Sequence, residues 1–199
     1  ACGVNGWRSQ LVDIELLAGV DYFLVVDGYG AADCGSYDLS IAERAPSDLC
    51  EQAEMISIPW SGTVSTIGAV DDYNEACPYD VVGAPDVVRR FVATETGEIR
   101  IDLCDSNFDT KVYVYEGNCP LAGSQNGTAG SGTAMGCSDD ACGENGWRSR
   151  LSFMVTEGIE YFVIFDGYGI SDSGEVVGTM TAVPPPGPGE EWEQAFVDR

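Results

Sequence analysis

The chain has 199 residues, of which 33 are acidic and 9 are basic, so its formal net charge at pH 7 is −24. A charge of this sign repels nucleic acid phosphates and anionic membranes, which excludes nucleic-acid binding and favours cations or basic partners. Eight cysteines and no histidine are typical of a disulfide-stabilised secreted protein. We therefore expect an extracellular or cell-surface location and no membrane insertion.

The chain contains two copies of one sequence module. ACGVNGWRS at residues 1–9 returns as ACGENGWRS at residues 141–149, and VDYFLVVDGYG at residues 20–30 returns as IEYFVIFDGYG at residues 159–169. The second copy follows the segment 50–140, which has no counterpart before the first copy, so the first copy is predicted to be the C-terminal half of a module. A half module leaves strand edges bare, which predicts completion by other copies of the protein or by adjacent repeats.

The remaining patterns are those of short strands separated by turns, without a long amphipathic helix. Near-continuous apolar runs at residues 22–26 and 161–165 each end in Asp-Gly-Tyr-Gly and predict central strands of a sheet. Between them, apolar residues alternate along three segments that predict strands with one apolar face: Ile56 and Ile58; Ile99, Ile101 and Leu103; Val112 and Val114. Short strands without helical crossovers predict an all-β fold, either an antiparallel β-sandwich or a jelly roll.

These patterns divide the chain into four segments. Residues 1–44 are predicted to form the half module, residues 45–49 a joint, and residues 50–183 the complete module. Residues 184–199 begin with consecutive prolines, which favour an extended spacer. The end of this tail either begins or contacts another domain, or is a frayed terminus.

Several motifs of the complete module occur in succession. They are SGTVSTIGA at residues 61–69, APDVVRRF at residues 84–91, CDSNFDTKVYVYEGNC at residues 104–119, CSDDAC at residues 137–142 and EYFVIFDGYG at residues 160–169. In this order they resemble the bacterial pre-peptidase C-terminal (PPC) domain family, in the cysteine-rich form found in long secreted repeat proteins. The resemblance covers nearly all of the complete module. It implies a jelly-roll β-sandwich that accompanies secreted enzymes or stands in tandem arrays, and it does not imply catalysis.

Six cysteines lie in the complete module, and six can pair internally in fifteen ways. The favoured pairing is Cys50 with Cys77, Cys119 with Cys137, and Cys104 with Cys142. In the first two of these pairs the cysteines bracket one loop between strands. The other two cysteines, Cys2 and Cys34, have no matching partners by comparison of the copies. They are predicted to pair with each other, with a neighbouring chain, or with polypeptide outside this sequence.

Carboxylates crowd the predicted turns of the complete module. Calcium takes six to eight oxygen ligands at a flexible site, and loops rich in Asp and Asn supply them. The candidate calcium ligands are Asp71, Asp72, Asp105, Asp109, Asp139 and Asp140. The resemblance adds support, because some PPC-like and related collagen-binding domains use calcium. In the alternative interpretation, these aspartates accept hydrogen bonds from turn amides and keep a secreted surface soluble.

Aromatic residues at equivalent places in the two copies are candidates for stacking on sugar rings. They are Trp7, Tyr29, Trp147 and Tyr168. In the alternative interpretation they cover the end of the sandwich core. Asn126 begins an Asn-Gly-Thr sequon and is a candidate glycosylation site.

Catalysis is not expected. The absence of histidine removes the usual base of a catalytic triad and the commonest zinc ligand. Neither a Gly-x-Ser-x-Gly motif nor a phosphate-binding loop occurs. The sequence favours a non-catalytic structural repeat of an extracellular surface or filament protein, with its half module completed by neighbours. The alternative is a polysaccharide- or collagen-binding accessory module of a secreted hydrolase.

Overall fold

The computed structural model describes residues 9, 11, 14, 16–41, 44–77, 83–120, 124–125, 134–143 and 146–185. The chain divides into two compact units, Ala1–Glu43 and Arg44–Arg199. Four features singled out in the sequence lie outside the described residues: Cys2, Trp7, Asn126 and most of the tail 184–199. No helix of the described residues is both long and apolar enough to cross a bilayer.

One 3-10 helix, Cys50–Gln52, and eleven short strands make up the regular structure of the second unit as far as the structure describes it. The strands are β1 Glu54–Met55, β2 Trp60–Ser65, β3 Tyr73–Asn74, β4 Val87–Val92, β5 Gly97–Asp102, β6 Thr110–Glu116, β7 Ser124–Gln125, β8 Gly136–Ser138, β9 Arg150–Val155, β10 Glu160–Gly167 and β11 Glu175–Val183. One sheet has the order β1-β4-β10-β6-β8 and the other the order β2-β11-β5-β9, while β3 pairs with β7. Two largely antiparallel sheets that pack against each other confirm the predicted all-β sandwich.

The main core lies between the two sheets, where the alternation in the sequence places it. Successive side chains of a strand point to opposite faces, so Ile99 and Ile101 of β5 share one face and pack with Leu103. Alternate residues of the facing sheet enter the same core, namely Val112, Val114, Tyr161, Val163 and Phe165. Ile56 and Ile58 also pack there, although they follow β1 instead of lying in a strand. The predicted central strand at residues 161–165 is confirmed as part of β10.

A second apolar cluster covers the outer face of the sheet that contains β4, β6 and β10. Its buried members are Cys50, Ala53, Tyr73, Val88, Tyr113, Tyr115, Phe162 and Ile164. The chain around Cys50 and Ala53 lies over this face, and we call it the covering segment. It is held by two hydrogen bonds: the Val88 N–H donates to the Ser47 carbonyl, and the Cys50 N–H donates to the Tyr73 hydroxyl. Both faces of β6 are therefore buried, whereas the alternation predicted one apolar face. Residues 45–49, predicted as a joint, belong to this second unit.

Three disulfides join the described residues of the second unit. They are Cys50–Cys119, Cys77–Cys137 and Cys104–Cys142, with Cα atoms 6.1, 6.0 and 5.4 Å apart. Such bonds are typical of proteins that mature in an oxidising compartment. The predicted pair Cys104–Cys142 is confirmed.

The other two predicted pairs, Cys50–Cys77 and Cys119–Cys137, are wrong. Cys50 belongs to the segment that covers the outer face of the sheet, and it bonds to Cys119, which follows β6. Cys77 bonds to Cys137 in the edge strand β8. Both bonds therefore link segments that are distant in sequence, and neither closes a single loop. In the first unit, Cys34 is exposed and has no disulfide partner among the described residues.

The described residues 16–41 of the first unit contain no strand, although the sequence predicts one at residues 22–26. Phe23 is 91% exposed and Val25 is 82% exposed, whereas their counterparts Phe162 and Ile164 in β10 are 8% and 0% exposed. A strand needs a hydrogen-bonded neighbour, and β10 has β4 on one side and β6 on the other. The prediction is wrong for residues 22–26 because the described part of this unit supplies no such neighbours.

Candidate functional site

Three carboxylates meet at the β8 edge of the larger sheet. Asp109 directly precedes β6, and Asp139 and Asp140 directly follow β8. The two strands are antiparallel, with Val112 opposite Ser138, so the beginning of β6 lies beside the end of β8. As a result, one carboxylate oxygen from each of the three aspartates lies within 4.8 Å of those from the other two. We call Asp109, Asp139 and Asp140 the edge cluster.

The edge cluster contains carboxylate oxygens that are buried without a hydrogen bond. Asp139 is only 5% exposed, and its Oδ1 accepts a hydrogen bond from the Asp140 N–H at 3.1 Å. Among the described residues, Asp139 Oδ2 and Asp109 Oδ1 have no hydrogen-bond partner. Buried carboxylate oxygens are normally paired with a donor or a cation. Asp140 adopts the left-handed backbone conformation, with φ of 40°, and remains exposed.

Burial and repulsion between carboxylates disfavour the ionised state of Asp109 and Asp139. Burial raises the pKa of Asp139 to about 7, and the charges of Asp140 and Asp109 add to this. Burial also raises the pKa of Asp109 to about 6, with further contributions from Asp172 and Asp140 and an opposing one from Arg148. Like charges held together in a partly dry site carry an electrostatic cost.

The structure separates the other three candidate calcium ligands from the edge cluster. Asp72 forms an ion pair with Arg44 at 2.5 Å, and Asp71 accepts a hydrogen bond from the side-chain amide of Asn74. Asp105 is exposed in the turn after β5. A guanidinium therefore already neutralises Asp72, and the six candidates do not form one site.

A buried polar network lies under the covering segment, and the sequence did not indicate it. Lys111 Nζ lies 3.7 Å from Asp166 Oδ2, and both side chains are fully buried. The Tyr113 hydroxyl lies 2.7 Å from the same carboxylate oxygen. Close by, Asp86 Oδ2 accepts hydrogen bonds from the N–H groups of Asp72 and Tyr73. The recurrence of Asp in the two Asp-Gly-Tyr-Gly turns is the one sequence signal that could have indicated Asp166.

This network predicts that the protein loses stability as the pH rises towards neutrality. Burial raises the pKa of Asp166 to about 7 despite the opposing charge of Lys111, and burial together with Asp166 raises the pKa of Asp86 well above its usual range. A folded-state pKa above the unfolded value stabilises the fold at low pH, and this contribution is lost as the pH rises from about 4 through about 7. We expect the free energy of unfolding to fall by a few kcal/mol, which is on the order of the free energy that corresponds to the pKa shift of one such group.

Urea unfolding followed by circular dichroism at several pH values between about 4.5 and 7.5 measures this slope. The variant Asp86→Asn removes a repelling charge and keeps a side-chain oxygen for the two N–H donors, so its slope is expected to be shallower. Asp105→Asn changes an exposed carboxylate and serves as the matched control. Stability that rises across this interval in the unchanged protein would contradict the interpretation of the network.

The described aromatic candidates do not line the surface groove of the smaller sheet. Trp147 is 69% exposed and Tyr29 fully exposed, while Tyr168 is half-buried. A shallow groove lies on the outer face of the smaller sheet, and its lining residues are Ser61, Gly62, Thr63, Asp102, Cys104, Asp105, Arg150, Val177, Gly178 and Thr179. The groove is therefore lined mainly by small and polar side chains, and none of the described aromatic candidates contributes to it.

The fold and these sites define the second unit as a disulfide-stabilised β-sandwich with a carboxylate cluster at one sheet edge. Comparison of the chain with protein-family models, curated proteins and solved structures gives no match. Membership of the PPC domain family stays a prediction based on the motifs.

Proposed function

We propose that the chain is a non-catalytic structural repeat of an extracellular surface or filament protein, built from PPC-like modules. In this proposal the first unit assembles with a neighbouring copy of the chain that supplies the missing strand neighbours. The observation that carries the proposal is the contrast between two copies of one motif. The motif is buried in the centre of a sheet at β10, and it is exposed at residues 20–30.

The buried copy indicates what the exposed copy lacks. β10 pairs along its length with β4 and β6, and its side chains enter an apolar cluster on each face. Residues 22–26 carry the same apolar run, so pairing would satisfy their backbone groups and remove large apolar side chains from water. Burial of apolar surface contributes about 25 cal/mol per Å². Addition of a strand to an exposed backbone is an established mode of protein assembly.

An extracellular role is supported by two further features. The three disulfides stabilise a fold in an oxidising environment, and the strongly acidic composition keeps a secreted surface soluble.

We expect assembly to depend on those side chains of residues 22–26 whose counterparts in β10 face the sandwich core. Leu24 corresponds to Val163, which is completely buried between the sheets. Leu24→Asp would place a carboxylate without a partner in that position, so we expect it to weaken association about tenfold or more. Sedimentation velocity of the full chain over a range of concentrations measures this, and hydrogen exchange of residues 22–26 should slow on assembly.

Two variants control this experiment. Ile67→Asp makes the same change in charge at an exposed residue in a turn of the second unit, and it should leave association unchanged. Cys34→Ser separates strand pairing from a disulfide between chains, because only the latter requires the exposed thiol. A compact monomer at every concentration would overturn the proposal.

A further inference from the structure

We propose that the edge cluster, Asp109, Asp139 and Asp140, binds a divalent cation of the calcium class. The inference concerns the second unit alone and does not depend on how the first unit is completed. Its three carboxylates come from two loops that the pairing of β6 with β8 brings together. Three carboxylate oxygens within 4.8 Å of one another can contact one ion, because calcium–oxygen distances of about 2.4 Å allow opposite ligands to be about 5 Å apart.

The buried oxygens provide the independent reason to place an ion here. Asp139 is nine-tenths buried, and its Oδ2 lacks a hydrogen-bond partner within the described residues, as does Asp109 Oδ1. Leaving a buried carboxylate oxygen without a donor or cation is costly. The alternative interpretation, in which these aspartates only cap turns, accounts for Asp139 Oδ1, which accepts the Asp140 N–H. It leaves the other oxygen of Asp139 unexplained.

The basic side chains near the edge cluster are engaged elsewhere. Arg148 donates its Nε hydrogen to the Ser106 carbonyl, and Lys111 Nζ pairs with Asp166. Both influence the pKa values of the cluster from a distance, yet neither forms an ion pair with it at contact distance among the described residues. The cluster differs in this respect from Asp72, which has Arg44 as a direct partner.

The donor atoms select the class of ion. All three ligands offer oxygen, which suits hard cations and does not favour zinc or copper. Cys104 and Cys142 also lie close to a carboxylate, that of Asp102, but their sulfur atoms form a disulfide and cannot act as thiolate ligands. Calcium accepts irregular, flexible coordination, and water completes its shell where the protein supplies few ligands. A site with three carboxylates in two turns therefore fits calcium best.

Isothermal titration and thermal melting of the full chain test the proposal. The protein is freed of divalent ions with a chelator and then titrated with calcium chloride. We expect one saturable site with a dissociation constant on the order of 10⁻⁴–10⁻³ M, as in extracellular calcium modules. At a calcium concentration about fifty times this dissociation constant, the melting temperature should rise by ~5 °C. Sodium chloride of equal ionic strength controls for screening of the acidic surface.

Three variants separate specific binding from a general response to salt. Asp139→Asn should remove the calcium response and raise the melting temperature without calcium, because it relieves repulsion in the cluster. Asp140→Asn should weaken binding at least about tenfold; its site is exposed, and asparagine tolerates the left-handed conformation. It therefore decides the test even if Asp139→Asn does not fold. Asp105→Asn should bind normally. Absence of saturable binding, or equal binding by all three variants and the unchanged protein, overturns the proposal.

Discussion

Replacement of Lys111 by methionine is expected to lower the free energy of unfolding by about 3–5 kcal/mol near neutral pH. Lys111 is the only lysine of the chain, and its side chain is completely buried beside Asp166. Removal of the ammonium group leaves the Asp166 carboxylate beside another buried acid, Asp86, without the positive charge that opposes the rise of its pKa. Leaving a buried charge without its partner lowers the free energy of unfolding by more than the intact ion pair raises it.

The loss should depend on pH in a defined direction. Because the pKa of Asp166 is raised to about 7, this carboxyl is largely protonated near pH 4.5 and then needs no counter-charge. Lys111→Met should therefore destabilise the protein much less at pH 4.5 than at pH 7.5. The double variant Lys111→Met with Asp166→Asn should recover most of the stability at pH 7.5, since it removes both charges.

Chemical labelling provides a second measurement of the same network. Amine-reactive reagents should modify Lys111 only when the protein unfolds, because its Nζ is shielded. Arg100→Met removes a positive charge from an exposed position and is the control, with an expected effect within about 0.5 kcal/mol. Rapid labelling of Lys111 in the folded protein would contradict a buried ion pair. An equal loss of stability in Lys111→Met and Arg100→Met would contradict it as well.

The sequence predicted the parts of the fold that depend on local alternation. Ile99 and Ile101 enter the core as their spacing indicated, and residues 161–165 form a central strand. The failure at residues 22–26 has a different origin, because the same local pattern occurs there without flanking strands in the described residues. Pairing partners are a non-local property, and a single apolar run does not contain them.

The covering segment explains two further differences from expectation. Lys111, Tyr113 and Tyr115 share one face of β6, and a polar or amphipathic face usually points to solvent. Here residues around Cys50 and Tyr73 cover that face, so the lysine becomes buried. The covering segment also places Cys50 next to Cys119, to which it bonds. The prediction that cysteines on either side of one loop pair with each other therefore fails.

The sequence alone does not indicate which of the acidic turns come together in the edge cluster. Six aspartates in similar turns were equivalent candidates, and only the register between β6 and β8 selects Asp109, Asp139 and Asp140. Asp72 does not join the cluster because it forms an ion pair with Arg44, which lies 28 residues earlier in the chain. Composition therefore indicated the type of ligand, while strand pairing determined which ligands meet.

Simultaneous replacement of Cys77 and Cys137 by serine is expected to destabilise the second unit by about 2–5 kcal/mol. These cysteines are separated by 60 residues, so their bond restricts a long loop of the unfolded chain and lowers its conformational entropy. In the folded state it fastens β8, an edge strand of three residues that pairs only with β6 in the described structure.

The change in melting temperature, measured without reductant, checks this expectation, and Cys34→Ser is the matched control. Cys34 is exposed and has no disulfide partner among the described residues, so its replacement should change stability by less than about 0.5 kcal/mol. Loss of the Cys77–Cys137 bond should also weaken calcium binding, because Asp139 and Asp140 directly follow the strand that it holds. Equal melting temperatures for the double variant and the unchanged protein would show that the sandwich core alone fixes β8.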